Sequence, residues 1–251
     1  MNIGRLSWSA SAAYLYILRL DDISLAWEYL RRNSAYQADW LGTAARWDSS
    51  TASRWGLRFL EDPRRDARAA EPLWRPFPPS SVCLTRQPEA ERSARFQFWG
   101  IPGRKSLVHD GQGLQLTTRN PPRVTHALLD PHLGTDEPYA FLIPADAHVQ
   151  NRCRAVNEFS VTYGKQSAGP NDPPSRPTRA AMMHMRILQA FDGGSSGAKQ
   201  SEIACAIFGA DAVNAQWSPD GELRAQIRYF LRRGRALVEA GYRTLLNLDS
   251  S

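Results

Sequence analysis

The segment KQSAGPNDPPSRPT, residues 165–178, limits this chain more than any other stretch. It carries four prolines and no apolar side chain larger than alanine outside them. Each proline fixes φ, removes a backbone donor and biases its predecessor away from the helical region. No regular helix or inner strand can run through such a stretch, and it offers nothing to a core. The fold must be built from what lies on either side. The expected division is an N-terminal helical and β module over 1–164, a linker over 165–178 and a C-terminal domain over 179–251. At 251 residues there is enough chain for one large or two modest cores.

Ahead of the linker the pattern changes twice. Residues 10–46 read as helices. In DDISLAWEYLRRN, Asp21 or Asp22 can cap, and Ile23, Ala26, Trp27 and Leu30 then share one face. Arg31 and Arg32 fall in the last turn, where the helix dipole favours cations. Asn33 is a stop, and Ser34 can cap a second helix to complete a helical hairpin. Residues 47–80 are irregular. Between 81 and 150, short β-prone runs such as SVCLTR, LQLTTR and RVTHALLD alternate with Gly and Pro turns. That predicts a small antiparallel sheet, meander or barrel. PADAHVQNRCRAVNEFSVTYG returns to helical spacing.

Beyond the linker three helices are expected: one from a Thr178 cap to Gly193-Gly194, a short KQSEIACAIFG, and one opened by SPDGEL with Ser218 as cap. The last contains LRAQIRYFLRRGRALVEAGYRTLL, residues 223–246, with six arginines and one acid, Glu239. At about 100° per residue, Arg224, Arg235, Arg228 and Arg232 fall within roughly 80° of one another. Leu237, Phe230, Ile227, Val238 and Leu231 occupy a separate arc, with Gly234 at its middle, where another helix can approach closely. The stripe spans roughly 16 Å, a length that can follow a duplex groove. Arg224 has Asp220 at i−4 and Arg235 has Glu239 at i+4, but Arg228 and Arg232 have no acid at i±4, so the middle of the stripe is not neutralised by its own helix. Lys199, Gln200 and Ser201, at the start of the EIACAIFG helix, are candidates for backbone phosphates. That helix resembles the first member of a helix-turn-helix pair, although ADAVNAQWSPDG is longer than the usual connection.

The runs MHMRILQAFDGG, KQSEIACAIFG and the terminal arginine pattern resemble the C-terminal DNA-binding domain of RovC-like transcription factors, which are associated with type VI secretion genes. LAWEYLRRNSAYQADW resembles the short domain that precedes it in the same proteins. The residue patterns predict an α+β chain ending in a three-helix, helix-turn-helix-like domain, and the resemblance adds a function. It implies a sequence-specific DNA-binding regulator, an activator of secretion or mobile-element genes. The partners implied are double-stranded promoter DNA, further copies of the chain and RNA polymerase. The site residues would be Arg224, Arg228, Arg232, Arg235, Lys199, Gln200 and Ser201. The competing class is a protein-interaction module, an antiactivator or assembly factor, that sets the basic face on an acidic protein.

Composition narrows the remaining classes. A net charge of +6 with pI near 9.5 is compatible with a polyanionic partner without requiring one. The three cysteines are far apart with no CxxC, which places the chain in a reducing, cytoplasmic compartment. No run is long and apolar enough for a membrane span. The five histidines show no metal-ligand spacing, and no catalytic cluster or cofactor motif stands out. An enzyme is therefore not expected. GIPGRKS lacks phosphate-loop spacing and reads as a hairpin turn with a basic tip.

Overall fold

A computed structural model describes residues 8–42, 49–87, 94–109, 111, 113–120, 123–164 and 176–247. It is α+β. The linker segment 165–175 lies outside the described residues. Two compact units form, and they do not follow the linear division. One collects Met1–Ala38, Asp62–Arg68 and Arg176–Leu245; the other collects Asp39–Glu61, Ala69–Ser175 and Leu246–Ser251. The N-terminal helices thus share a unit with the C-terminal ones.

The helical unit starts with a 3-10 helix, Ser11–Arg19, which buries Tyr14 and Ile17. Helix α1 follows over Asp22–Leu30, and the Asp21 carboxylate caps it by accepting from the Ser24 N–H at 3.0 Å. Helix α2 runs Ser34–Gly42. Here the cap is Asn33 and not Ser34: the Asn33 Oδ1 accepts from the N–H groups of Ala35 and Tyr36 at 2.9 and 3.1 Å. Trp27 is fully buried, meets Tyr36 edge-on at 5.7 Å, and donates its indole N–H to the Arg65 carbonyl.

In the C-terminal part, α5 is Arg179–Ser195, started by a Thr178 side-chain cap as expected. It runs through Gly193 and Gly194 before ending. Helix α6 is Gln200–Phe208 and stops at Gly209, whose φ of +90° favours glycine. The supposed connection after it contains a further helix, α7, Ala210–Gln216. The domain therefore has more than the three helices expected. Helix α8 begins only at Glu222, with Gly221 at the cap position and Ser218 outside the helix. A side chain at Gly221 would collide with the Ser218 Oγ at 2.6 Å, so the chain turns sharply there before the helix can start. From Ala236 the helix passes through one π turn, Leu237–Gly241, into α9, Tyr242–Leu245.

A buried ionic network ties α1 to α5. Glu28 is fully buried, and its carboxylate accepts from Arg31, from Arg32 and from the Ala67 N–H. Arg32 also clasps Asp192 with two hydrogen bonds, at 2.8 and 2.9 Å, and the Tyr14 hydroxyl donates to the same carboxylate. Arg32 is therefore an internal clamp that lies past the end of α1, not a cation of its last turn. Burial alone would raise both carboxyl pKa values; the facing Arg32 guanidinium reverses this and holds both below the usual range.

The second unit is built on a five-stranded sheet in the order β2-β3-β4-β1-β5. The strands are β1 Val82–Arg86, β2 Arg104–His109, β3 Leu114–Asn120, β4 Arg123–Leu129 and β5 Tyr139–Phe141. The sheet is mixed rather than wholly antiparallel, because β1 pairs with β4 in parallel. Helix α4, Val149–Gly164, covers one face, placing Ala155 and Phe159 among Val82, Leu84, Leu116, Leu129 and Tyr139. The short helix α3, Ser49–Arg54, and a bridge between Leu57 and Trp74 belong to the same unit. GIPGRKS is not the hairpin turn expected: it joins a 3-10 helix, Phe98–Gly100, to β2, whose hairpin partner β3 follows at its other end. The chain still turns on glycine there: Gly103 has φ +95°, and any Cβ would meet the Arg119 backbone at 2.6 Å.

Candidate nucleic-acid interface

Helix α8 has the two-faced character its sequence implies. Leu223, Ile227, Phe230 and Gly234 are buried. Gly234 sits against α5: a Cβ there would lie 3.1 Å from the Phe191 Cβ and 3.4 Å from Ile187. That close approach explains a poor helix former in mid-helix. Arg228, Arg232 and Arg235 are exposed and Arg224 is half-buried, its guanidinium reaching the Pro219 carbonyl at 3.4 Å. Among the described residues none of the four makes an ion pair.

The far end of the stripe is set by the π turn. Beyond Ala236 the 100° spacing no longer applies, so Glu239 cannot be counted as lying on the stripe. A π turn leaves carbonyls without their i+4 partners, and Asn33 supplies one: its Nδ2 donates to the Val238 carbonyl at 3.0 Å. One asparagine thus caps α2 with its oxygen and secures the end of the arginine helix with its nitrogen.

Lys199 and Ser201 lie at the start of α6, exposed and half-buried respectively. The Lys199 N–H already donates to the Glu202 carboxylate at 2.6 Å, so a phosphate at this helix end would meet a resident anion. The Gln200 Oε1 is buried and has no hydrogen-bond partner among the described residues. No hydrogen bond or ion pair among those residues joins this trio to the arginine stripe. The contact between the two helices runs instead through the other end of α6, where Phe208 stacks on Phe230 at 6.4 Å.

Sequence reasoning missed two features. Arg32 has one visible partner, Glu28, four residues back, but its other, Asp192, is 160 positions away and leaves no local signal. The second is His184, half-buried on α5, with its Nδ1 2.8 Å from the Tyr29 hydroxyl. Burial, helped by the nearby Arg233 charge, lowers its pKa and favours the neutral imidazole.

Comparison with known families places these observations. The matches define a transcription factor with a DNA-binding domain. Residues 142–247 match the RovC DNA-binding domain family, described as the DNA-binding domain of a type VI secretion system transcription factor. That is the family the terminal motifs resemble, and the match takes in α4 through α9, beginning ahead of the proline-rich segment. Residues 7–60 match a proteobacterial transcriptional regulator-like domain, and 87–125 a domain of unknown function. No curated protein matches the chain. Among the described residues, no helix is long and apolar enough to cross a membrane, and no group of three or more His, Cys, Asp or Glu could hold a metal ion.

Proposed function

We propose that the chain is a sequence-specific regulator that reads promoter DNA through α8 and activates secretion or mobile-element genes. The observation that carries this reading is the exposed stripe of Arg228, Arg232 and Arg235, without acidic partners among the described residues, inside the segment matched to a DNA-binding domain. Arginine suits both tasks required there, bidentate contact to guanine edges and to phosphates. Arg224 extends the stripe toward the start of the helix, and Lys199, Gln200 and Ser201 approach the backbone from α6 through their side chains, since Glu202 occupies the Lys199 N–H. In this reading DNA binding belongs to residues 179–251, and the N-terminal helices complete the body that presents them. The α6–α7–α8 order is a variant of the helix-turn-helix, with α7 occupying the turn. The β unit serves oligomerisation or regulation, and RNA polymerase is the partner an activator engages at the promoter.

The test is titration of the full chain against its own upstream DNA over a range of salt concentrations. Arg228→Ala with Arg232→Ala should abolish specific binding, with unchanged circular dichroism. Residual binding should lose roughly two units of the log–log salt slope, about 0.9 per phosphate contact. Binding by the double variant equal to the parent overturns the assignment. Retention of an acidic protein, with no log-linear salt response to DNA, would favour the protein-interaction reading instead.

A further inference from the structure

A groove of about 650 Å³ opens beside the N-terminal halves of α5 and α8, on a different side of α8 from the arginine stripe. Its walls are Met182, Ala225, Tyr229 and Phe230, with Arg179 and Arg186 on the α5 side. Met182 and Tyr229 are 41% and 42% exposed, unusually wet for large apolar side chains. Arg179, Met182 and Arg186 follow the i, i+3, i+7 spacing of a single helix face, which sets the two arginines roughly 10 Å apart along it. Neither arginine makes an ion pair among the described residues; the Arg186 guanidinium lies 5.6 Å from the Phe208 ring centroid. The groove's one carboxylate, Glu222, is occupied by a hydrogen bond from Gln226 at 3.0 Å.

We infer that this groove is a binding site for a small aromatic carboxylate. The volume is that of a small-molecule site, and such sites pair an apolar lining with a few polar groups that fix orientation. Tyrosine and phenylalanine rings beside a methionine favour a flat aromatic body. Two arginines lacking a carboxylate partner supply the complementary charge and can hold a carboxylate by paired N–H bonds. Phe230 borders the groove but is itself only 2% exposed and packs on Phe208, so a bound ring would rest on the exposed Tyr229 and Met182 above it. The inference stands on the groove itself and does not depend on DNA binding.

The experiment uses the full chain and the fluorescence anisotropy of 2-naphthoate, with 2-naphthylmethanol as the neutral control. The carboxylate should bind saturably at one site per chain, at least tenfold more tightly than the alcohol. Arg179→Gln with Arg186→Gln should remove that preference. Ala225→Trp fills the groove from an exposed helix position and should weaken naphthoate at least tenfold, with circular dichroism unchanged. Equal affinity for the two naphthalenes, or parental binding by Ala225→Trp, overturns the site.

Discussion

Replacing Arg32 by methionine removes the charge from the ionic network while keeping much of the volume. In the parent, the guanidinium bonds the Asp192 carboxylate at 2.8 and 2.9 Å, the Glu28 carboxylate at 2.6 Å and the Glu28 carbonyl at 2.7 Å. The Arg32 and Glu28 side chains are 8% and 0% exposed, but Asp192 is 23% exposed, so solvent screens that side of the network in part and the loss falls toward the lower end of the range for a buried pair. Without Arg32, Glu28 keeps Arg31 and the Ala67 N–H, but Asp192 keeps only the Tyr14 hydroxyl among the bonds described. Removing one partner of such a pair costs about 3–5 kcal/mol, most of it from the stranded charge. In a chain of this size that corresponds to a fall in Tm of roughly 6–20 °C.

The pH dependence gives a sharper signature. In the parent both carboxyl pKa values are depressed, so their stabilisation is present above the unfolded pKa near 4 and is lost as pH falls through the folded values. In Arg32→Met the Asp192 carboxyl is buried without its cation, and burial raises its pKa above the unfolded value. The folded variant then takes up a proton that the unfolded chain does not, so its deficit relative to the parent should shrink from pH 8 to pH 5. Adding Asp192→Asn should recover part of the loss at pH 8. Urea unfolding followed by tryptophan fluorescence at both pH values measures all three chains. A deficit below about 1 kcal/mol, or one independent of pH, would show that the network does not hold the unit together.

Two further substitutions probe the supports of the arginine helix, each by chemical unfolding. Asn33→Ala removes the α2 cap, worth about 1 kcal/mol, and orphans the buried Val238 carbonyl, worth about 1–3 kcal/mol, so a loss of roughly 2–4 kcal/mol is expected. A loss of a few tenths would mean the π turn does not need the asparagine. Gly234→Leu drives a branched side chain into Phe191 and Ile187 and should cost about 1–3 kcal/mol, whereas a neutral result would place α5 further from α8 than described.

Much of the local structure was legible because its causes are local. The Asp21 and Thr178 caps, the end of α6 at Gly209 and the division of α8 into buried and basic faces each depend on residues a few positions apart. Their physics is capping, backbone freedom and helical period, which a sequence states directly. The helix hidden in ADAVNAQWSPDG was harder to see because seven residues are too few for a periodic pattern. SPDGEL carries good cap signals at Ser218, yet the tight turn around Gly221 delays the start of α8 to Glu222.

The grouping of the elements belonged to the tertiary structure. A proline-rich segment shows where regular structure must stop, but not which pieces will meet, because burial depends on faces matching in space. Asp192 pairs with Arg32, and Asn33 with Val238, across 160 and 205 positions, and neither bond has a sequence signature. The sequence by itself determined an amphipathic helix with four arginines on one side. The tertiary structure decided which face of that helix is buried against α5, and it left the arginines without carboxylate partners among the described residues. Helical period follows from the backbone alone, whereas the pairing of charges depends on where distant segments of the chain come to rest.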